Sequence, residues 1–493
     1  MSAYILAIDQ GTTGTRAMLV DRGGRVRGRA YAEITQRYPR PGWVEHDPLE
    51  IWDKTVAVIA QAKAQASAGD HDIAAIGIAN QRETALLIDR ASGNPLGPAI
   101  VWQCRRTADR CAELREQGYA RMVKEKTGLL LDAYFSATKL EWLLLNTDGA
   151  RQKARAGHLL LGTIDTWLIW KLSGHTAHVT DMTNAARTML FNIRELDWDD
   201  ELLDLFGLPR SALPEVRPSR GILARTPAGV PIAGVAGDQQ AALFGQACYR
   251  PGMVKATYGT GAFVLMNTGQ TFVDSQHGLL GTLTCDSADT PEYALEGSIF
   301  AAGASIQWLR DLGLLTDAQE SESVAAQVEE TGGVYFVPAF VGLGAPYWDM
   351  RARGALVGLT RGTGRSHIVR AALEAIGYQV SDVVEAMAAD SMIEPVEVRV
   401  DRGGAANSFL LQFQADVSGL EVSLPQVLET TALGAAYLAG LAVGFWETRE
   451  ELVKLLGEKR KSFVPMMEAE RRLALRDGWR KAVDCTRSWA RGS

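Results

Sequence analysis

Residues 4–8 form a short apolar run that ends in Asp9-Gln10-Gly11-Thr12-Thr13-Gly14-Thr15-Arg16, and residues 17–20 form a second. The pattern predicts strand, tight Gly/Thr turn, strand. Residues 254–257 repeat the plan: they run into Tyr258-Gly259-Thr260-Gly261, and residues 262–266 follow. Glycine lets the backbone turn and lets N–H groups approach a ligand closely, and threonine adds hydroxyls. Two such turns facing each other would grip a polyphosphate from both sides. That points to a two-lobed phosphotransferase with a cleft between the lobes.

The remaining pattern is mixed α/β. Residues 4–9, 16–21 and 25–34 read as a three-stranded meander. Asp47-Pro48-Leu49-Glu50 predicts a helix start, with Asp as cap, Pro at the first helical position and Glu closing a capping box. That helix is expected to reach about Ala66. Residues 73–79, 86–88 and 99–102 read as strands, and 141–145 and 166–172 as helical. A strand over 231–236 ends at Gly237-Asp238, with 239–246 helical. Residues 396–400 form another buried strand, ending at Asp401-Arg402-Gly403-Gly404. Arg250-Pro251-Gly252 marks a boundary, giving an N-terminal lobe over 1–250 and a C-terminal lobe over 251–493. The apolar run 432–446 is too short to span a bilayer and rich in Gly and Ala, so a buried, closely packed helix is expected. The stretch from about 466 mixes charge with a periodic apolar face and reads as a solvated surface helix.

Composition narrows the function. The chain has 493 residues, more than one compact core supports. Its net charge of −7 argues against a general nucleic-acid binder. Five cysteines form no CxxC pair and no metal spacing, as expected of reduced cytoplasmic thiols. No charged-then-apolar leader opens the chain.

Asp9 ends a strand directly before the Gly/Thr turn. It reads either as a Mg²⁺ site acting through water or as an ordinary turn aspartate. Asp238 reads as a helix cap, as a general base for phosphoryl transfer to an alcohol, or as both. Gln81, Arg82 and Glu83 cluster at one strand end, where ligands of open α/β sheets sit. They suit vicinal hydroxyls, or else a solvated loop with a local ion pair. Trp102, Tyr134 and Phe263 read as core or as pocket wall, and His46 as structural.

Several segments carry a resemblance. They are Asp9-Gln-Gly-Thr-Thr13, Pro41-Gly-Trp-Val-Glu-His-Asp-Pro48, Asn80-Gln-Arg-Glu-Thr84, Ile100-Val-Trp-Gln-Cys-Arg-Arg106, Gly237-Asp-Gln-Gln-Ala-Ala-Leu-Phe-Gly245 and Thr257-Tyr-Gly-Thr-Gly261. Together they closely resemble the glycerol-phosphorylating members of the FGGY carbohydrate-kinase family, over nearly the whole chain. The resemblance implies two ribonuclease-H-like, actin/hexokinase-like lobes with ATP and Mg²⁺ between them. It implies glycerol contacts from Arg82, Glu83, Trp102, Tyr134, Asp238, Gln239 and Phe263. It implies phosphate contacts from Thr12, Thr13, Arg16, Gly259 and Thr260, and nucleoside contacts from Gly303, Gln307, Gly403 and Asn407. Asp238 matches the family's base and Asp9 its metal-associated aspartate. A homo-oligomer, dimer or tetramer, is the expected assembly. A kinase of a pentulose or hexulose, and an actin-like ATP-hydrolysing switch without a polyol acceptor, are the rival readings. Arg402 departs from the pattern: the family reads Val-Asp-Gly-Gly-Ala-x-Ala-Asn where this chain reads Val400-Asp401-Arg402-Gly403-Gly404-Ala405-Ala406-Asn407, so Arg either replaces the first glycine or is inserted with one residue lost before Asn407. Residues 224–230 lack both the long Gly-rich loop and the histidine of regulated relatives, so neither control is expected.

Overall fold

The computed structural model describes residues 3–285, 290–457 and 460–491. They form two compact units. The first comprises 1–247 with two later returns, 281–293 and 430–455; the second comprises 248–280, 294–429 and 456–493.

Each unit is built on a sheet of the same plan. In the first, Tyr4–Gln10 pairs antiparallel with Gly14–Asp21, which pairs antiparallel with Val26–Glu33. On its other side Tyr4–Gln10 runs parallel to Ile73–Asn80, which runs parallel to Pro231–Gly237, and Arg220–Arg225 closes that edge antiparallel. In the second unit Met253–Tyr258 pairs antiparallel with Ala262–Gly269 and parallel with Glu397–Asp401. The strands Glu421–Pro425, parallel, and Arg460–Phe463, antiparallel, follow. Each unit thus places a Gly/Thr hairpin beside parallel strands whose carboxyl ends lie level with its turn.

Local sequence accounts for the elements around the sheets. Asp47 caps the helix Pro48–Gln65 by accepting from Leu49 N at 3.0 Å, with Pro48 at its first position. The expected capping box does not close. Glu50 instead accepts from Thr35 N and Thr35 Oγ1, at 3.1 and 3.0 Å, which ties the helix to the chain beyond the meander. The run rich in Gly and Ala is the helix Thr430–Ala442, buried from Thr430 to Gly440 within the first unit. A Cβ at Gly434 would overlap the carbonyl oxygen of Ala241, so only glycine permits this approach.

The last helix, Ala469–Arg491, is not merely solvated. Trp479, Ala482 and Val483 are buried in the second unit's core. Arg476 pairs with Asp382 at 2.9 Å, and Trp479 Nε1 donates to the same carboxylate at 2.7 Å. The helix Arg365–Ser391, which carries Asp382, has buried residues on all sides between Ala371 and Val384.

Candidate active site

Within the first unit, three parallel strands end together. Gln10 lies opposite Asn80, and Asn80 opposite Gly237. The residues at or just past these ends are Asp9, Arg82, Glu83 and Asp238. This is where ligands of such sheets bind.

Arg82 joins the two acids. Its Nε lies 3.4 Å from Asp238 Oδ1 and 3.8 Å from Glu83 Oε1, and its Nη1 donates to Gln240 Oε1 at 3.1 Å. A Cβ at Gly237 would meet the Arg82 Cδ at 2.6 Å, so glycine there makes room for the arginine stem. The side chains of Arg82 and Glu83 are 2% exposed, and that of Asp238 is 19% exposed. Asp238 is therefore the carboxylate of this cluster with most access to solvent.

Asp238 is not the helix cap. Gly237 takes that position, without a side-chain cap bond, and Asp238 is the first helical residue of Asp238–Gly245. A carboxylate there still gains from the positive end of the helix dipole. Gln239 Nε2 donates to Asp238 Oδ2 at 3.2 Å. The strand end is braced from behind: Gly237 N donates to Thr183 Oγ1 at 2.9 Å, and Thr183 Oγ1 donates to buried Asp181 at 2.6 Å. Burial pushes the Asp181 carboxyl above its ordinary range.

Glu83 adopts a left-handed backbone, φ +62°, unusual for a non-glycine residue. Its carboxylate accepts from Arg187 Nε at 2.6 Å. Arg187 is fully buried, and its guanidinium lies 5.6 Å from the Tyr134 ring centre. Sequence spacing did not point to Arg187, which is 104 positions from its partner. Tyr134 packs edge-to-face on Trp102 at 5.4 Å, and Trp102 Nε1 donates to Thr12 Oγ1 at 2.9 Å. Both rings are partly exposed. A half-buried aromatic wall therefore reaches from the acidic cluster to the first Gly/Thr turn.

That turn is closed by Gly11 N donating to Gly14 O at 2.9 Å, and Thr15 Oγ1 makes a short bond to Gln10 Oε1. Thr13 is exposed, Asp9 is buried, and Arg16 approaches Asp9 at 4.0 Å. Gln81 Nε2 donates to Gly11 O at 3.2 Å and lies 3.3 Å from His46 Nδ1. His46 is fully buried, and burial lowers its pKa to about 4, so the ring is neutral at pH 7.

The second unit gathers its own set. Gly259 N donates to Gly261 O at 2.8 Å, closing a turn with Gly259 and Thr260 exposed. The helix Gly303–Asp311 starts against it: Gly303 N donates to Gly259 O at 3.0 Å, and Ala304 N to Thr260 O at 2.9 Å. Gln307, one turn along, is exposed and donates to Asp311 at 2.7 Å. Phe263, on the return strand, is partly buried. On the neighbouring parallel strand Asp401 lies opposite Thr257. Arg402 follows with φ +65° and ψ −172°, then the short turn Gly403–Ala406. Asn407 caps the helix Ser408–Ser418, accepting from Leu410 N at 2.9 Å. Gly259, Thr260 and Gly303 are thus in direct contact, whereas Gly403 and Asn407 sit at the adjoining strand end.

The chain resembles known proteins over nearly its whole length. The family model described as the N-terminal domain of the FGGY family of carbohydrate kinases matches residues 4–245, and the C-terminal domain model matches 254–443. The chain belongs to the FGGY family of carbohydrate kinases, with an actin/hexokinase-like fold. It is 56% identical to a glycerol kinase of Bacillus cytotoxicus, over 99% of this chain and 100% of that protein. It is also 56% identical to glycerol kinase 2 of Thermotoga maritima, over 99% of both chains. Among solved structures, Plasmodium falciparum glycerol kinase with ADP superposes with a TM-score of 0.93, at 37% identity and 98% coverage of both chains.

Proposed function

We propose that this chain transfers the terminal phosphoryl group of ATP to glycerol, giving glycerol 3-phosphate and ADP. The observation that carries the reading is the full-length similarity to the Bacillus protein, at 56% identity. It favours glycerol over the pentulose and switch readings. Buried Arg82 and Glu83 beside a solvent-accessible Asp238 offer the chemistry such a reaction needs.

Asp238 is the general base. Its carboxylate takes the proton of a glycerol hydroxyl as that oxygen attacks the terminal phosphorus and the bond to the ADP oxygen breaks. Arg82, Glu83 and Gln239 hold the hydroxyls, and Trp102 and Tyr134 cover the carbon chain. Thr12, Thr13 and Arg16 serve the phosphates. In the second unit Phe263 is assigned to glycerol, Gly259 and Thr260 to the phosphates, and Gly303, Gln307, Gly403 and Asn407 to the nucleoside.

Mg²⁺ fits the donor set in a limited way. Among the described residues no three His, Cys, Asp or Glu side chains are grouped to hold a metal. Asp9 offers one hard carboxylate beside the Gly/Thr turn, which suits an ion that keeps most of its waters and arrives with phosphates. When bound, such an ion would offset phosphate charge. No described helix is long and apolar enough to cross a membrane. The five cysteines are free thiols, which fits a reducing cytoplasm.

The test is ADP release from ATP and Mg²⁺ with and without glycerol, set beside xylulose. Glycerol-dependent ADP formation is expected. Its absence at every magnesium concentration overturns the reading.

A further inference from the structure

A buried lysine lies directly behind the proposed acceptor residues. Lys139 is on the helix Ser136–Asn146 and is fully buried. Its ammonium donates to the carbonyl oxygens of Glu83 at 3.3 Å and Phe135 at 2.8 Å, and makes a short bond to that of Tyr134. An ammonium has three donors, and these are three acceptors. Ser136 Oγ donates to the same Glu83 oxygen at 3.1 Å. The helix start is further tied to the Arg187 region by Ala137 N donating to Thr188 O at 2.8 Å.

The acceptors come from two segments far apart in the chain, and each segment carries a proposed glycerol contact. Glu83 sits at φ +62°, a conformation the chain does not hold without support. A buried ammonium is unfavourable by desolvation, and an apolar side chain of similar length would fill the space. The cation earns its place only through the carbonyls it gathers.

We infer that Lys139 is a positioning residue of the acceptor site, a buried cationic clamp that fixes Glu83 and Tyr134 relative to each other through their backbones. The inference rests on the glycerol reading above. The titratable groups whose charge acts on the ammonium are Glu83, Cys104, Asp132 and Cys111. Asp132 is held ionised below its ordinary range by Arg105, against the upward push of burial, and the Cys111 thiol is pushed up to about 11 by burial. Burial lowers Lys139 itself to about 8, against the pull of Glu83. Above that pH the clamp loses its charge and one of its three donors.

The experiment measures Michaelis constants for glycerol and ATP, and kcat, from pH 7 to 9, for the wild type, Lys139→Met and Lys139→Gln. In the wild type the glycerol constant is expected to rise as pH passes about 8 while the ATP constant does not. Lys139→Met should raise the glycerol constant at pH 7 roughly tenfold or more, equivalent to about 1.4 kcal/mol. It should also abolish the rise with pH, with kcat changing less. Lys139→Gln, which keeps neutral donors, should fall between. A merely structural lysine would lower the melting temperature and the active fraction, leaving the glycerol constant and its pH profile unchanged. That result overturns the inference. If Lys139→Met does not fold, Lys139→Gln and the wild-type profile decide, and a flat wild-type profile counts against the clamp. A wild type without glycerol-dependent ADP formation refutes the function itself. An active wild type with unaltered variants refutes the clamp alone.

Discussion

Arg82 Nε lies 3.4 Å from Asp238 Oδ1, and both stand just past adjoining parallel strands. One cation thus orients the proposed base and also borders Glu83, 3.8 Å away. Arg82→Ala should weaken glycerol binding more than ATP binding. Leaving buried Glu83 and the more exposed Asp238 without this cation amounts to about 1–3 kcal/mol, or roughly ten- to hundredfold in affinity. Calorimetry with each ligand checks it. Unchanged glycerol binding with weakened ATP binding would remove Arg82 from the acceptor site.

Asp238→Asn isolates proton acceptance. Because Gly237 and not Asp238 occupies the cap position, the substitution leaves the helix start intact. The expected outcome is a folded protein with kcat lowered ~10²–10⁴-fold and a smaller change in glycerol affinity. Near-normal turnover would exclude the base role.

Arg402→Gly relieves a specific conformation. The pair φ +65°, ψ −172° belongs to a region that glycine alone adopts readily. The exchange should raise the unfolding free energy by about 1–3 kcal/mol, read from denaturant titration. The exposed side chain makes a large effect on nucleotide unexpected, so the ATP Michaelis constant should improve by less than about tenfold. A larger gain would show that Arg402 obstructs the nucleotide.

His46 makes stability depend on pH. Its folded pKa, about 4, is below its ordinary value near 6.5. The unfolded chain therefore takes up the proton first. The stability His46 contributes is complete above about pH 6.5 and is lost as pH falls towards 4. Across that window His46→Gln should flatten the fall in unfolding free energy by up to about 1.4 kcal/mol per pH unit. His178, also lowered to about 4 by burial, remains in both proteins, so the difference between them reports His46. Parallel curves would show that His46 titrates alike in the folded and unfolded states.

What could be read from the sequence follows from the range over which each signal acts. Asp9, the two Gly/Thr turns, residues 81–83 and Asp238 all lie where an apolar run stops, so a window of a few residues exposes them. Arg187 and Lys139 lie within helical or turn segments, and their partner Glu83 is 104 and 56 residues away. Only the folded chain brings them together. The helix Arg365–Ser391 escaped for a related reason: buried on all sides over much of its length, it shows no apolar stripe against a polar one. Glu50 has the spacing of a capping box, but Thr35, outside the helix, supplies the donors its carboxylate takes. The final helix keeps most of its charges exposed, as its pattern predicts, while its apolar positions Trp479, Ala482 and Val483 pack inward.

The helix Thr430–Ala442 has a consequence for how the protein is made. It belongs to the first unit, which otherwise consists mainly of residues 1–247. A ribosome must therefore translate most of the second unit before it delivers the piece that seals the first. Until residue 455 has emerged, the nascent chain holds the sheet that carries Asp9, Arg82 and Asp238 with one wall bare. A chain that stopped short of residue 430 would thus hold all of 1–247 and still have its first unit unfinished.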